Sequence, residues 1–136
     1  MTAITRFEEI EAWKTARELT HMVYALGNLT GFNRDFGLRD QICRAAVSAM
    51  INVAEGFESY TDVQFINFLG TARASADEVR AQLYVALDQK YIAEEQFRET
   101  YSTAEKCARQ IAKFISCLES NPRQRRVSDD PANYEA

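Results

Sequence analysis

From Ala45 to Ala54 the chain reads AAVSAMINVA, a run that is small or apolar at every position except Ser48 and Asn52. Ionisable side chains return only at its flanks, as Asp40 and Arg44 before it and Glu55 after it. A helix with that make-up, spanning Leu38 to Phe57, is covered on nearly all sides and belongs deep in a bundle or at a subunit contact. It constrains assembly and carries no information about chemistry.

The rest of the chain agrees with an all-α fold. Both prolines lie after residue 120, and 120 residues without proline suit helices far better than loop-rich folds. At 136 residues, 46% apolar and 26% charged, one domain can bury a core without metal or disulfide staples. Residues 1–120 are expected to form the bundle, and residues 121–136, which lose periodicity, a flexible C-terminal tail.

Four helices follow from apolar spacing. The first covers about Ile10 to Leu29, with Trp13, Ala16, Thr20, Val23 and Gly27 on one line, and Leu19, Tyr24 and Leu26 widening it. Residues 27–37, GNLTGFNRDFG, supply the turn. The second helix carries two adjoining apolar lines and is expected to run to about Phe57, with Gly56 placed to help end it. A third opens at Thr61 or Asp62 as N-cap, and Phe65, Leu69, Ala72, Ala76, Val79, Leu83 and Ala86 follow in 4-3-4-3-4-3 steps, the seam of a left-handed packing. The fourth repeats it as Phe97, Tyr101, Ala104, Ala108, Ile111, Ile115 and Leu118, after a tight link at Tyr91 and Ile92. Short links between long helices predict an antiparallel up-down-up-down four-helix bundle.

Chemistry finds little foothold. A carboxylate-bridged metal site in a bundle needs Glu-x-x-His on two helices, but the chain has one histidine, His21, and no such motif. Cys43, Cys107 and Cys117 have no ligand spacing and are expected to be buried, reduced thiols. There is no glycine-rich phosphate loop and no nucleophile–histidine pairing to single out. The expectation is a non-enzyme with no cofactor and no metal. Met1 to Ile10 is charged and lacks the apolar stretch of a signal peptide, and no apolar run could span a membrane, so the cytoplasm is the expected compartment.

One polar line stands out: Asp40, Arg44, Ser48, Asn52 and Glu55, at helical spacing along the second helix. It is a solvent face, a structural polar network or oligomer contact that fixes register, or a ligand site. The network is favoured, because Ala45, Ala49 and Ile51 between these positions are not what exposed faces carry, and buried polar groups demand partners. Arg73 and Arg80, seven apart beside Ile66, Asp77 and Tyr84, are a subunit contact or a solvated face. Arg123, Arg125 and Arg126 form a basic cluster that could touch nucleic acid, although a net charge of −4 and a pI near 5.1 weigh against free nucleic acid as the main partner.

Three stretches carry a family resemblance: RFEEIEAWKTARELTHMVY at 6–24, GLRDQICRAAVSAMINVAEGF at 37–57, and FINFLGTARASADEVRAQLYVALDQKYI at 65–92. The chain resembles the four-helix bundle proteins encoded in intervening sequences of bacterial 23S ribosomal RNA genes and their stand-alone relatives. Asp40, Gln41, Ile42, Arg44, Ala45, Ala46, Val47, Ser48, Asn52, Ala54, Glu55 and Gly56 fit the family's D-Q-I-R-R-A-A-V-S-I-P-S-N-I-A-E-G in register. Cys43 departs where Arg is usual, and Met50 and Ile51 where Pro-Ser is usual; without that proline the second helix is expected to run straighter. The resemblance implies a ring-like homo-oligomer, a pentamer, with no established enzymatic activity. It also implies kinship with accessory proteins of diversity-generating retroelements, which bind nucleic acid and a reverse transcriptase.

Overall fold

The computed structural model describes residues 3–123, and they fold into four helices: α1 (Glu11–Gly27), α2 (Phe36–Glu58), α3 (Asp62–Asp88) and α4 (Glu94–Ser120). Each helix packs on its neighbours in sequence, and α1 closes the bundle against α4. Two stacked core layers fix the directions. One joins Trp13 at the start of α1 to Val53 and Phe57 at the end of α2, Phe65 and Leu69 at the start of α3, and Ile111 and Leu118 late in α4. The other joins Leu26, Ile42, Leu83 and Ala104, from the opposite ends of the same helices. The bundle is therefore antiparallel throughout, as short links demand.

All seven seam residues of α3 are at most 1% exposed, so the 4-3 spacing maps onto the core without exception. The α3 start is a capping box: Thr61 accepts from the Gln64 amide at 3.1 Å, and Gln64 returns the bond to the Thr61 amide at 3.1 Å. Asp35 caps α2 by accepting from the Leu38 amide, and its other carboxylate oxygen accepts from the Tyr91 hydroxyl at 3.0 Å. That bond joins the α1–α2 and α3–α4 connections at one end of the bundle.

Several sequence expectations need correction. The stretch 27–37 is more than a turn: Phe32 in its middle is fully buried and stacks on Tyr91, which Gly31 permits by turning the chain at φ +95°. α2 ends at Glu58, one residue beyond the expected Phe57, and Gly56 lies inside its last turn. The role of Gly56 is close approach, since a Cβ there would lie 2.7 Å from Phe65 Cδ1 and 2.9 Å from Phe68 Cβ. Tyr24 does not widen the apolar face of α1; it is 49% exposed beside α2. Cys107 is buried, but Cys43 is only half-buried and Cys117 is exposed, because residue 117 falls outside the line of Ala104, Ala108, Ile111 and Leu118.

Candidate assembly surface on α2 and α3

The polar line of α2 divides once α3 is placed beside it. Ser48 Oγ and Ser75 Oγ lie 2.8 Å apart across the α2–α3 contact, and Asn52 Nδ2 donates to the Ser48 carbonyl at 2.9 Å and to its hydroxyl at 3.1 Å. Further along, Gln82 of α3 donates to Gln41 at 3.4 Å and to Glu78 at 3.3 Å. These bonds give the otherwise featureless Ala-rich contact a polar register mark. Asp40, Arg44 and Glu55 are exposed and make no hydrogen bond or ion pair among the described residues, and Ile51 between them is 45% exposed. On the other side of α2, Thr20 ties α1 on, its hydroxyl donating to the carbonyls of Ala16 and Ala46.

Arg73 and Arg80 separate as well. Arg73 is exposed, whereas Arg80 is held within its own chain by Asp77 at 2.9 Å, the Tyr101 hydroxyl at 2.9 Å and Glu105 at 3.7 Å. Its guanidinium also lies over the Tyr101 ring.

Arg123 is docked on the bundle. Its Nε donates to Asp62 at 2.9 Å, its Nη1 to the Phe57 carbonyl at 2.6 Å and its Nη2 to the Ser59 carbonyl, while its guanidinium covers the Phe65 ring at 4.9 Å. The backbone amide adds a bond to Asp62 at 3.0 Å. The last turn of α2 contains no basic residue of its own, so Arg123 supplies the cation that the helix C-terminus favours. Arg125 and Arg126 lie outside the described residues.

The surface that sequence reading missed is the outer line of α3. Val63, Asn67, Gly70, Ala74, Asp77, Ala81 and Tyr84 follow one another in 4-3-4-3-4-3 steps, opposite the buried seam. Asp77 is its only charge, and that one is tied to Arg80. Val63 is 69% exposed, Tyr84 50% and the adjoining Val85 45%. Gly70 is the anomaly: a Cβ there would meet nothing within 4 Å, so no contact among the described residues requires glycine. Glycine in a helix interior costs about 1 kcal/mol relative to alanine.

Four concave features lined by described residues are shallow and open. An open groove of about 470 Å³ between α1 and α2 is lined by Tyr24, Arg39, Asp40, Cys43, Arg44 and Val47. Among the described residues no group of His, Cys, Asp and Glu could hold a metal ion, and no helix is long and apolar enough to cross a membrane.

The 23S rRNA-intervening sequence protein family model matches residues 8–113. The chain belongs to that family. A crystal structure of a protein of unknown function from the S23 ribosomal protein family of Bacteroides thetaiotaomicron superposes with a TM-score of 0.71 at 22% identity, covering 77% of this chain and 95% of that one. That likeness bears on the fold alone. Comparison with curated proteins gives no match.

Proposed function

We propose that this chain is a non-enzymatic, homo-oligomeric scaffold or interaction module, and that the outer line of α3 is where the next copy packs. Gly70 carries the proposal. An exposed mid-helix glycine with open space around it weakens the lone chain, and Ala74 one turn on adds a second small residue on the same line. Small residues flanked by exposed Val63, Tyr84 and Val85 suit a helix of another copy at close range. An odd-numbered ring, the pentamer that the resemblance implies, needs a head-to-tail contact in which this line meets a different surface of its neighbour.

Light scattering on a sizing column tests this. The wild type is expected at a small multiple of 15.5 kDa, five for the pentamer. Ala74→Arg should run as a monomer with unchanged helix content. A wild-type monomer at micromolar concentration would overturn the proposal.

The alternative reading is an accessory protein that binds RNA or a reverse transcriptase. Its support is the family's ribosomal RNA connection and Arg125 and Arg126, since the guanidinium of Arg123 is committed to Asp62, Phe57 and Ser59. RNA binding that weakens steeply with salt and disappears on deleting residues 121–136 would favour it.

A further inference from the structure

Two bonds inside the chain fix how α2 and α3 stand beside each other. Ser48 faces Ser75 at 2.8 Å, and Gln41 faces Gln82 at 3.4 Å, the same number of residues further along both helices. In that antiparallel register Ile51 stands level with Ala72, Arg44 with Val79 and Glu55 with Phe68. A closed ring of copies has no rise from one copy to the next. With the bundles upright along the ring axis, α2 of one copy therefore meets α3 of the next in this same register.

The side chains at those levels fit. Ile51, 45% exposed, falls between Gly70 and Ala74, where a Cβ on Gly70 would meet nothing within 4 Å. Arg44, exposed and without an ion pair among the described residues, comes within about 3 Å of Asp77 and Glu78 along the axis. Glu55, likewise exposed, lies about 8 Å along the axis from exposed Arg73, within reach of two long side chains. Parallel placement through the same point would set Glu55 level with Ala76, against Asp77 and Glu78, so charge selects the antiparallel one. Antiparallel pairing of α3 with its own copy there would set two Arg73 side chains side by side. Direction agrees as well: outer faces of adjacent helices in a four-helix bundle point about 90° apart, and a ring needs about 90° between its two contacts for four copies and about 108° for five.

Resting on the α3 contact given under the proposed function, we propose that the surface it meets is the outer line of α2 in the next copy. The two helices run antiparallel, with Ile51 seated between Gly70 and Ala74, Arg44 at Asp77 and Glu78, and Glu55 toward Arg73. Each copy lends its α2 line to one neighbour and its α3 line to the other, which gives the exposed Ile51 and the open space at Gly70 a single cause.

Disulfide trapping in a Cys43→Ser, Cys117→Ser background tests it. Chains carrying Ile51→Cys alone and Ala74→Cys alone are co-expressed and mildly oxidised. The co-expressed chains are expected to give a covalent dimer on a non-reducing gel, on the order of tenfold faster than either variant by itself. Arg44→Glu should raise the protein concentration at half-dissociation on the order of tenfold by light scattering, and adding Glu78→Arg should recover most of that shift. An assembled wild type whose co-expressed variants do not cross-link, a covalent dimer formed as fast by either variant alone, or an Arg44→Glu protein that assembles like wild type would each overturn the α2 placement. A wild-type monomer would overturn the α3 contact with it.

Discussion

Replacing Gly56 by alanine is the sharpest probe of how closely α2 and α3 approach. The new methyl would sit 2.7 Å from Phe65 Cδ1, 3.1 Å from Phe65 Cε1 and 2.9 Å from Phe68 Cβ. Neither neighbour can yield cheaply. The Phe65 ring is wedged among Phe57, Phe114 and the Arg123 guanidinium, and the Phe68 Cβ moves only with the α3 backbone. Overpacking of this kind costs typically 1–3 kcal/mol. Alanine returns up to about 1 kcal/mol of helix propensity. The net is a loss of about 1–2 kcal/mol, or a melting point lower by roughly 4–8 °C for a chain of this size. Gly70→Ala is the matched control: with nothing within 4 Å, it should stabilise the isolated chain by about 0.5–1 kcal/mol. In an assembly that uses Gly70 for close approach, the same change should instead lower the oligomer mass or make melting depend more on concentration. Thermal unfolding followed by circular dichroism at two protein concentrations, with sizing of each variant, separates these outcomes. A Gly56→Ala protein as stable as wild type would refute the close-approach account. A Gly70→Ala protein that is more stable and equally assembled would remove Gly70 as support for the α3 contact.

Arg123→Ala should cost about 1.5–3 kcal/mol by calorimetry, because it removes the charged donor shared by two backbone carbonyls and Asp62; truncation just after Arg123 should keep that stability. Burial pushes the Cys107 thiol up to about 12, and thiolate is the reactive form, so near pH 8 a thiol reagent should label exposed Cys117 first, half-buried Cys43 more slowly, and Cys107 only on global unfolding. Prompt labelling of all three thiols would contradict the packing of α4. Met50 is half-buried against the core whereas Ile51 is 45% exposed, so Met50→Lys should cost about 1–2 kcal/mol and Ile51→Lys under about 0.5 kcal/mol in urea unfolding.

The bundle was legible because its signals are local and repetitive. A 4-3 repeat names buried positions without knowledge of the partner helix, and Phe65 to Ala86 follow it strictly. Thr61 and Gln64 announce a helix start through groups three residues apart. Contacts over long sequence separations escaped. Nothing near Phe32 in sequence reveals that it stacks on Tyr91, and nothing near Arg123 points to Asp62. Gly56 misleads for the same reason: a glycine near a helix end reads as a terminator until Phe65 and Phe68 appear opposite it.

Composition along the chain also misplaced the surface most in need of cover. α2 drew attention because its charges are few, yet α1 and α3 cover its flanks, and three of its charged residues, Asp40, Arg44 and Glu55, are exposed. α3 looks ordinary, since Arg73, Asp77, Glu78 and Arg80 follow almost without a break. Angle, not number, decides the matter. Arg80 reaches Tyr101 and Glu105 of α4 and holds Asp77, and Glu78 accepts from Gln82, so apart from Asp77 these charges gather at the flanks. The line between them is left to Val63, Asn67, Gly70, Ala74 and Ala81, uncharged and exposed. A helix with one apolar seam is covered by its own bundle; α3 carries a second, largely uncharged line opposite that seam, and this is the line the proposed contact between copies would use.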